Sequence, residues 1–182
     1  MLTQYYIAVN ETVSSRDGLR SHTCKKQYVK ELRDDYLNMD SIPSKSFDTF
    51  EDAENFIEQL PVQRCGEYIN KYSYNVEAIE HTHANFSGYS DVHPYEIVKV
   101  VSPKTIEVRL VDAELDPAWK PEVIAGGFAG HTVNNGSQKW IYKSNQNNRA
   151  IRLRKRKDGY FYSAGGRHVL SNAPEKFYDY NF

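Results

Sequence analysis

Cysteine, methionine and tryptophan are scarce, with two of each among 182 residues. Cys24 and Cys65 stand far apart and form no Cys-x-x-Cys pair. That excludes a dense disulfide scaffold and a paired-thiol redox centre, and points to two structural thiols in a reducing compartment. No apolar run approaches the roughly 20 residues a membrane helix needs. The first residues lack the basic-then-apolar pattern of a secretion signal. A soluble, cytoplasmic protein is the expectation. Net charge is also small, at −1. Bulk charge of that size does not drive non-specific nucleic-acid binding. Catalytic signatures are missing too. No Walker pattern, no Gly-x-Gly-x-x-Gly fingerprint and no Gly-x-Ser-x-Gly elbow occurs. No enzyme and no cofactor is expected.

Aromatic residues, by contrast, are plentiful, at 13% with 14 Tyr. They suit strands and stacking surfaces. Charge is unevenly spread. Residues 1–78 hold 9 basic against 13 acidic residues, and residues 79–182 hold 14 against 11. The expected fold class is α+β, with a small N-terminal α+β domain over residues 1–80. A polar linker over 81–88 and a β-rich, barrel-like domain over 89–182 follow it.

In the first part, Gln4–Val9 reads as a strand and 10–23 as a turn-rich loop. Tyr28, Val29, Leu32, Tyr36 and Leu37 recur at helical spacing, which predicts a helix over Lys26–Leu37. Asp48-Thr-Phe-Glu51 resembles a capping box, with Asp48 or Thr49 as N-cap, and predicts a second helix from about Phe50 to Leu60, stopped by Pro61. Tyr68–Ile79 reads as a strand. In the second part, Tyr95–Val101 and Thr105–Val111 read as paired strands around a Ser102-Pro-Lys104 turn, with Val98, Val100, Ile106, Val108 and Leu110 inward. Asp112–His131 reads as a long irregular insertion, which in a compact domain tends to be functional or disordered.

The most informative stretch is Gln138–Ser163. Gln138–Tyr142, Arg149–Arg156 and Tyr160–Tyr162 read as successive strands. Lys157-Asp-Gly159 is a tight turn, because Gly tolerates the positive φ such turns need. Alternation puts Arg152, Arg154 and Arg156 on one face, with Ile151, Leu153, Lys155 and Lys157 on the other. Guanidinium grips phosphate bidentately and stacks on rings. Arg109 and Arg149 are possible neighbours, and Trp140, Tyr160 and Tyr162 lie on adjoining strands. Arg109, Trp140, Arg149, Arg152, Arg154, Arg156 and Tyr160 are therefore the candidate ligand-binding residues, for a nucleotide-like small molecule. A solvated, charged strand face is the plain alternative.

Two other groups are weaker. His81, His83, Asp91 and His93 could ligate a metal, but they lack a recognisable ligand framework, so no metal is expected. Gly126-Gly-Phe-Ala-Gly130 could cradle a phosphate through backbone N–H groups, or be a plain surface turn.

From about residue 85 onward the chain also resembles a group of small phage and prophage proteins. The likeness rests on Tyr89-Ser-Asp91, Tyr95-Glu-Ile-Val-Lys-Val100, Thr105-Ile-Glu-Val108, Gln138-Lys-Trp-Ile-Tyr142, the Asn-rich turn ending in Arg149, the Arg/Lys strand with Lys157-Asp-Gly159, and Phe177-Tyr-Asp-Tyr-Asn-Phe182. That group is similar to the Thoeris anti-defence sponge proteins. The resemblance implies a β-rich homo-oligomer that binds a cyclic ADP-ribose type of signal and holds it without cleavage. Apart from the resemblance, the short apolar runs and the small net charge lead to the expectation of no membrane and no nucleic-acid partner. A small inhibitor or nucleic-acid-contacting accessory protein, using the same arginines on backbone phosphates, is the alternative. The extra N-terminal domain and the stretch Asp116–His131 depart from the family pattern.

Overall fold

The computed structural model describes residues 1–15, 20–33, 36–40, 45–65, 68–126 and 130–181. It is 54% strand, with one α-helix among the described residues, and contains a closed six-stranded β-barrel. Chain contacts divide it into two units, Thr3–Glu80 and Met1–Leu2 with His81–Phe182. Among the described residues no helix is long and apolar enough to cross a membrane.

The N-terminal unit is mostly strand, so an α+β description fits it only loosely. It comprises β1 (Leu2–Ser14), β2 (Ser21–Thr23), β3 (Gln27–Arg33), β4 (Tyr36–Asp40), α1 (Phe50–Ile57), β5 (Gln63–Cys65) and β6 (Ile69–His81). The sheet order is β4-β3-β1-β6-β5, with β2 beside β1. The helix expected over Lys26–Leu37 is instead the β3–β4 hairpin. The register slips between Val29 and Glu31. An extra residue on one strand breaks period-two alternation, and the resulting 28-29-32 spacing imitates a helix. Part of the expected loop over 10–23 is also strand, because β1 continues to Ser14 and pairs with β2 through Thr12↔Thr23. Ile7, Val9, Val29, Leu37, Ala53 and Leu60 form this unit's core.

The predicted Phe50 helix is present, and Thr49 is its cap. Thr49 Oγ1 accepts the Asp52 N–H at 3.0 Å, and Glu51 and Asp52 sit where the helix dipole favours acids. Thr49→Ala is expected to cost about 1 kcal/mol, as cap losses typically do. Urea unfolding of the variant beside the wild type measures it.

The second unit begins within the stretch expected to be a linker. His81 ends β6, and residues 83–87 form β7 (His83–Ser87), a barrel strand in which Ala84 and Asn85 are buried. A polar sequence here is no linker signal, since buried Asn85 is held by hydrogen bonds. The Asn85 side-chain amide donates to the Ala173 carbonyl at 3.1 Å. Then come β8 (Val92–His93), β9 (Tyr95–Ser102), β10 (Thr105–Leu110), β11 (Asp112–Leu115), β12 (Val123–Ile124), β13 (His131–Thr132), β14 (Trp140–Lys143), β15 (Ala150–Lys155), β16 (Phe161–Ser163) and β17 (Gly166–Ser171). The barrel order is β17-β16-β15-β10-β9-β7, closed by β17 pairing with β7. Closure removes sheet edges, and a small barrel fills its interior with side chains. Leu2, Ala84, Ile106, Val108, Leu153 and Phe161 do so here.

Ile106 and Val108 point inward as expected, but Val98 and Val100 are exposed. The β9–β10 register shifts between Thr105 and Ile106 and again between Glu107 and Val108, and Ile97, not Val98, pairs with Val108 and packs on the core. Within 112–131, described residues expected to be irregular form strands. β11 pairs with β14, and β12 with β13. Trp119 is buried, with its indole N–H on Ser137 Oγ at 3.2 Å and its ring 5.6 Å from that of Tyr180. The aromatic tail packs on its own chain. Phe177 exchanges backbone hydrogen bonds with Val92, and Asn181 holds both backbone groups of Thr132.

Candidate functional site

The middle strand β15 has the alternation its sequence predicts. Leu153 is fully buried, Ile151 packs on the core, and Arg152 and Arg154 are exposed on the outer face. Arg156 follows on the same side, and the turn after it is tight because Gly159 takes φ +86 and donates its N–H to the Arg156 carbonyl at 3.0 Å. Register sets the neighbours. Arg152 faces Glu107, Arg154 faces Thr105 on β10 and Tyr162 on β16, and Tyr162 faces Arg167 on β17.

The arginines are not equivalent. Arg152 Nη2 lies 2.6 Å from Glu107 Oε1, and this guanidinium holds the Glu107 carboxyl below the usual carboxylate range. Arg156 stacks over the Tyr162 ring at 3.9 Å, and Arg167 over the Tyr160 ring at 4.9 Å. Arg154 has no ion-pair partner among the described residues. A shallow concavity of about 650 Å³ runs along Arg152, Arg154, Arg156 and Tyr162. That volume is within the ordinary range for small-molecule sites. Chemically, the arrangement offers fork-shaped donors for an anion, flanked by aromatic rings.

Other predicted residues fall elsewhere. Trp140 is not on an adjoining strand of this sheet. Its strand pairs with β11, and its indole donates to Gln138 Oε1 at 3.2 Å. Arg109 shares the outer face but is engaged, with its Nε donating to Glu96 Oε1 at 3.0 Å. Arg149 is exposed just ahead of β15. The Asn-rich turn before it is tied down by Asp112, whose carboxylate accepts the side-chain amides of Asn145 and Asn148 at 2.8 Å each. Of the glycine-rich group, residues 127–129 lie outside the described residues. The metal candidates are not gathered into one site. His83 Nδ1 bonds Thr82 Oγ1, His93 Nδ1 accepts from Lys176 Nζ, and Asp91 Oδ1 accepts the Asp179 N–H. Among the described residues no group of three His, Cys, Asp or Glu side chains converges.

Sequence reasoning missed Arg167, Glu107 and Ser163. A signal for Arg167 did exist. Gly165-Gly166 follows a short strand, and Gly166 at φ +140 closes the hairpin that returns Arg167 beside Tyr162.

Burial favours the neutral form of four histidines in this unit. His81 is pushed down to about 4, and burial also lowers His83, His93 and His168. A histidine whose folded pKa lies below its unfolded value of about 6.5 stabilises the fold above that value. The contribution is lost as pH falls through the folded pKa. Stability is therefore expected to drop steadily between about pH 6.5 and 4, with His81 alone contributing of order 3 kcal/mol. Melting curves across this range check it, and His81→Phe should flatten the drop.

No protein-family model, curated protein or solved structure matches the chain.

Proposed function

We propose that the His81–Phe182 unit binds a cyclic nucleotide-type immune signal, of the cyclic ADP-ribose kind, and sequesters it uncleaved. In this reading the protein is a phage-type anti-defence sponge, a homo-oligomer acting in the host cytoplasm. The observation that carries it is the outer face of β15 to β17, where Arg152, Arg154, Arg156 and Arg167 stand beside Tyr160 and Tyr162. A pyrophosphate between two nucleoside parts calls for that combination of guanidinium donors and flat rings. The sequence resemblance supports the same reading.

Cyclic ADP-ribose is expected to raise the melting temperature with the logarithm of its concentration above Kd, since a ligand that binds only the folded state stabilises it by mass action. After denaturation the ligand should be recovered intact, and native mass spectrometry should show it retained on an oligomer. Recovery of a cleaved product would overturn sequestration in favour of an enzyme. A gel shift with DNA or RNA that fades steeply with salt would favour the nucleic-acid accessory reading, because counterion release demands that dependence.

A further inference from the structure

A second concavity, of about 450 Å³, lies against the arginine face and shares Arg152, Ser163 and Ala164 with the first. Its remaining walls are Phe86, Tyr95, Ile151 and Gly165. The walls are therefore largely apolar and aromatic, with a guanidinium at the rim, the phenol of Tyr95 and, beside Gly165, the Ser163 hydroxyl.

The polarity of that hydroxyl is set by the buried residue behind it. His168 is almost fully buried, with the rings of Phe86 and Tyr95 edge-on to it at 5.2 Å each. Its Nδ1 lies 3.1 Å from the Ala84 carbonyl oxygen. A carbonyl only accepts, so Nδ1 carries the proton. Burial holds the ring neutral, which leaves Nε2 bare. Nε2 lies 3.1 Å from Ser163 Oγ and accepts its hydrogen. The Gly165 N–H donates to Ser163 Oγ at 3.2 Å and uses one of its lone pairs. Ser163 is left with one lone pair and no free hydrogen. Toward the concavity it is an acceptor only.

We infer that this pocket takes a flat heterocycle bearing an exocyclic amino donor, read by Ser163 Oγ, while the attached phosphate lies on Arg152 and Arg154. The inference rests on the proposed function and adds the ligand's orientation and which group of its base is read. An oxo group in the same place would set acceptor against acceptor, which a buried site rejects more strongly than a mere loss of contact.

Calorimetry on the full chain at neutral pH with adenosine 5′-monophosphate, inosine 5′-monophosphate and ribose 5-phosphate tests it. The amino-bearing nucleotide is expected to bind at least about tenfold tighter than its oxo counterpart, and ribose 5-phosphate more weakly than the amino nucleotide. Ser163→Ala should bring the two nucleotides together. That ratio is independent of the fraction folded, and if the variant does not fold the wild-type series decides alone. Equal binding of the two nucleotides to the wild type overturns the inference, as does ribose 5-phosphate matching the amino nucleotide. If none of the three binds while cyclic ADP-ribose does, the pocket inference falls and the proposed function stands. If cyclic ADP-ribose also fails, both fall.

Discussion

Replacing Arg152 and Arg154 together by alanine is expected to weaken cyclic ADP-ribose binding by roughly two to four powers of ten, from two lost charge-assisted hydrogen bonds at about 1.5–3 kcal/mol each. The fold should survive. Both side chains are on the exposed face, and the opposite face, with Ile151 and Leu153, carries the packing. Exposed substitutions usually stay within about 0.5 kcal/mol. The two arginines should not contribute equally. Arg152 is engaged by Glu107, so a phosphate must compete with a carboxylate for it, whereas Arg154 has no such competitor among the described residues. Arg154→Ala alone should therefore cost more affinity than Arg152→Ala alone. Calorimetric titration of the three variants, beside their melting curves, gives both numbers. A folded double variant that binds like the wild type would leave the arginines as a solvated strand face. A double variant that unfolds would make them structural.

Phe161→Ala is expected to lower unfolding free energy by about 3–5 kcal/mol, the range for a large buried ring cut to a methyl. Phe161 is fully buried in the barrel interior beside Leu153, Ile106 and Val108. Its strand pairs with β15 and β17, so neighbours on both sides are fixed by ladder hydrogen bonds and have little room to collapse into the void. The loss is a large share of the 5–15 kcal/mol that holds an ordinary domain folded. Guanidinium unfolding measures it directly. A cost under about 1 kcal/mol would mean that the barrel interior is not close-packed. Binding should fall together with stability here, because Tyr162 and Ser163 ride on the same short strand. This contrasts with the arginine double variant, which separates the two.

What was legible in the sequence was local. The alternation of Arg152 to Arg156, the Asp158-Gly159 turn, the Thr49 cap and the strand pair around Pro103 each depend on residues a few positions apart. Backbone preference and side-chain period act at that range. Where a bulge inserts a residue, the same local rule misleads, as at Val29 to Glu31, where a hairpin carries helical spacing. Polarity misled in a similar way at His81–Gly88, because buried Asn85 is tolerated once its hydrogen bonds are met by the distant backbone of Ala173 and Glu175.

Tertiary structure alone decided which strands meet. Trp140 looked like a neighbour of the arginines from its place in the chain, yet its strand pairs with β11. Glu107 and Arg152 are 45 residues apart in sequence and come together only because β10 lies beside β15. Closure of the barrel through β17 and β7 places His168 against Ala84, and with it fixes the hydrogen on Ser163. Such pairings depend on the whole set of burial and ladder constraints being satisfied at once. No window of sequence contains them, so the cationic strand could be read from its residues, while the pocket beside it exists only in the folded chain.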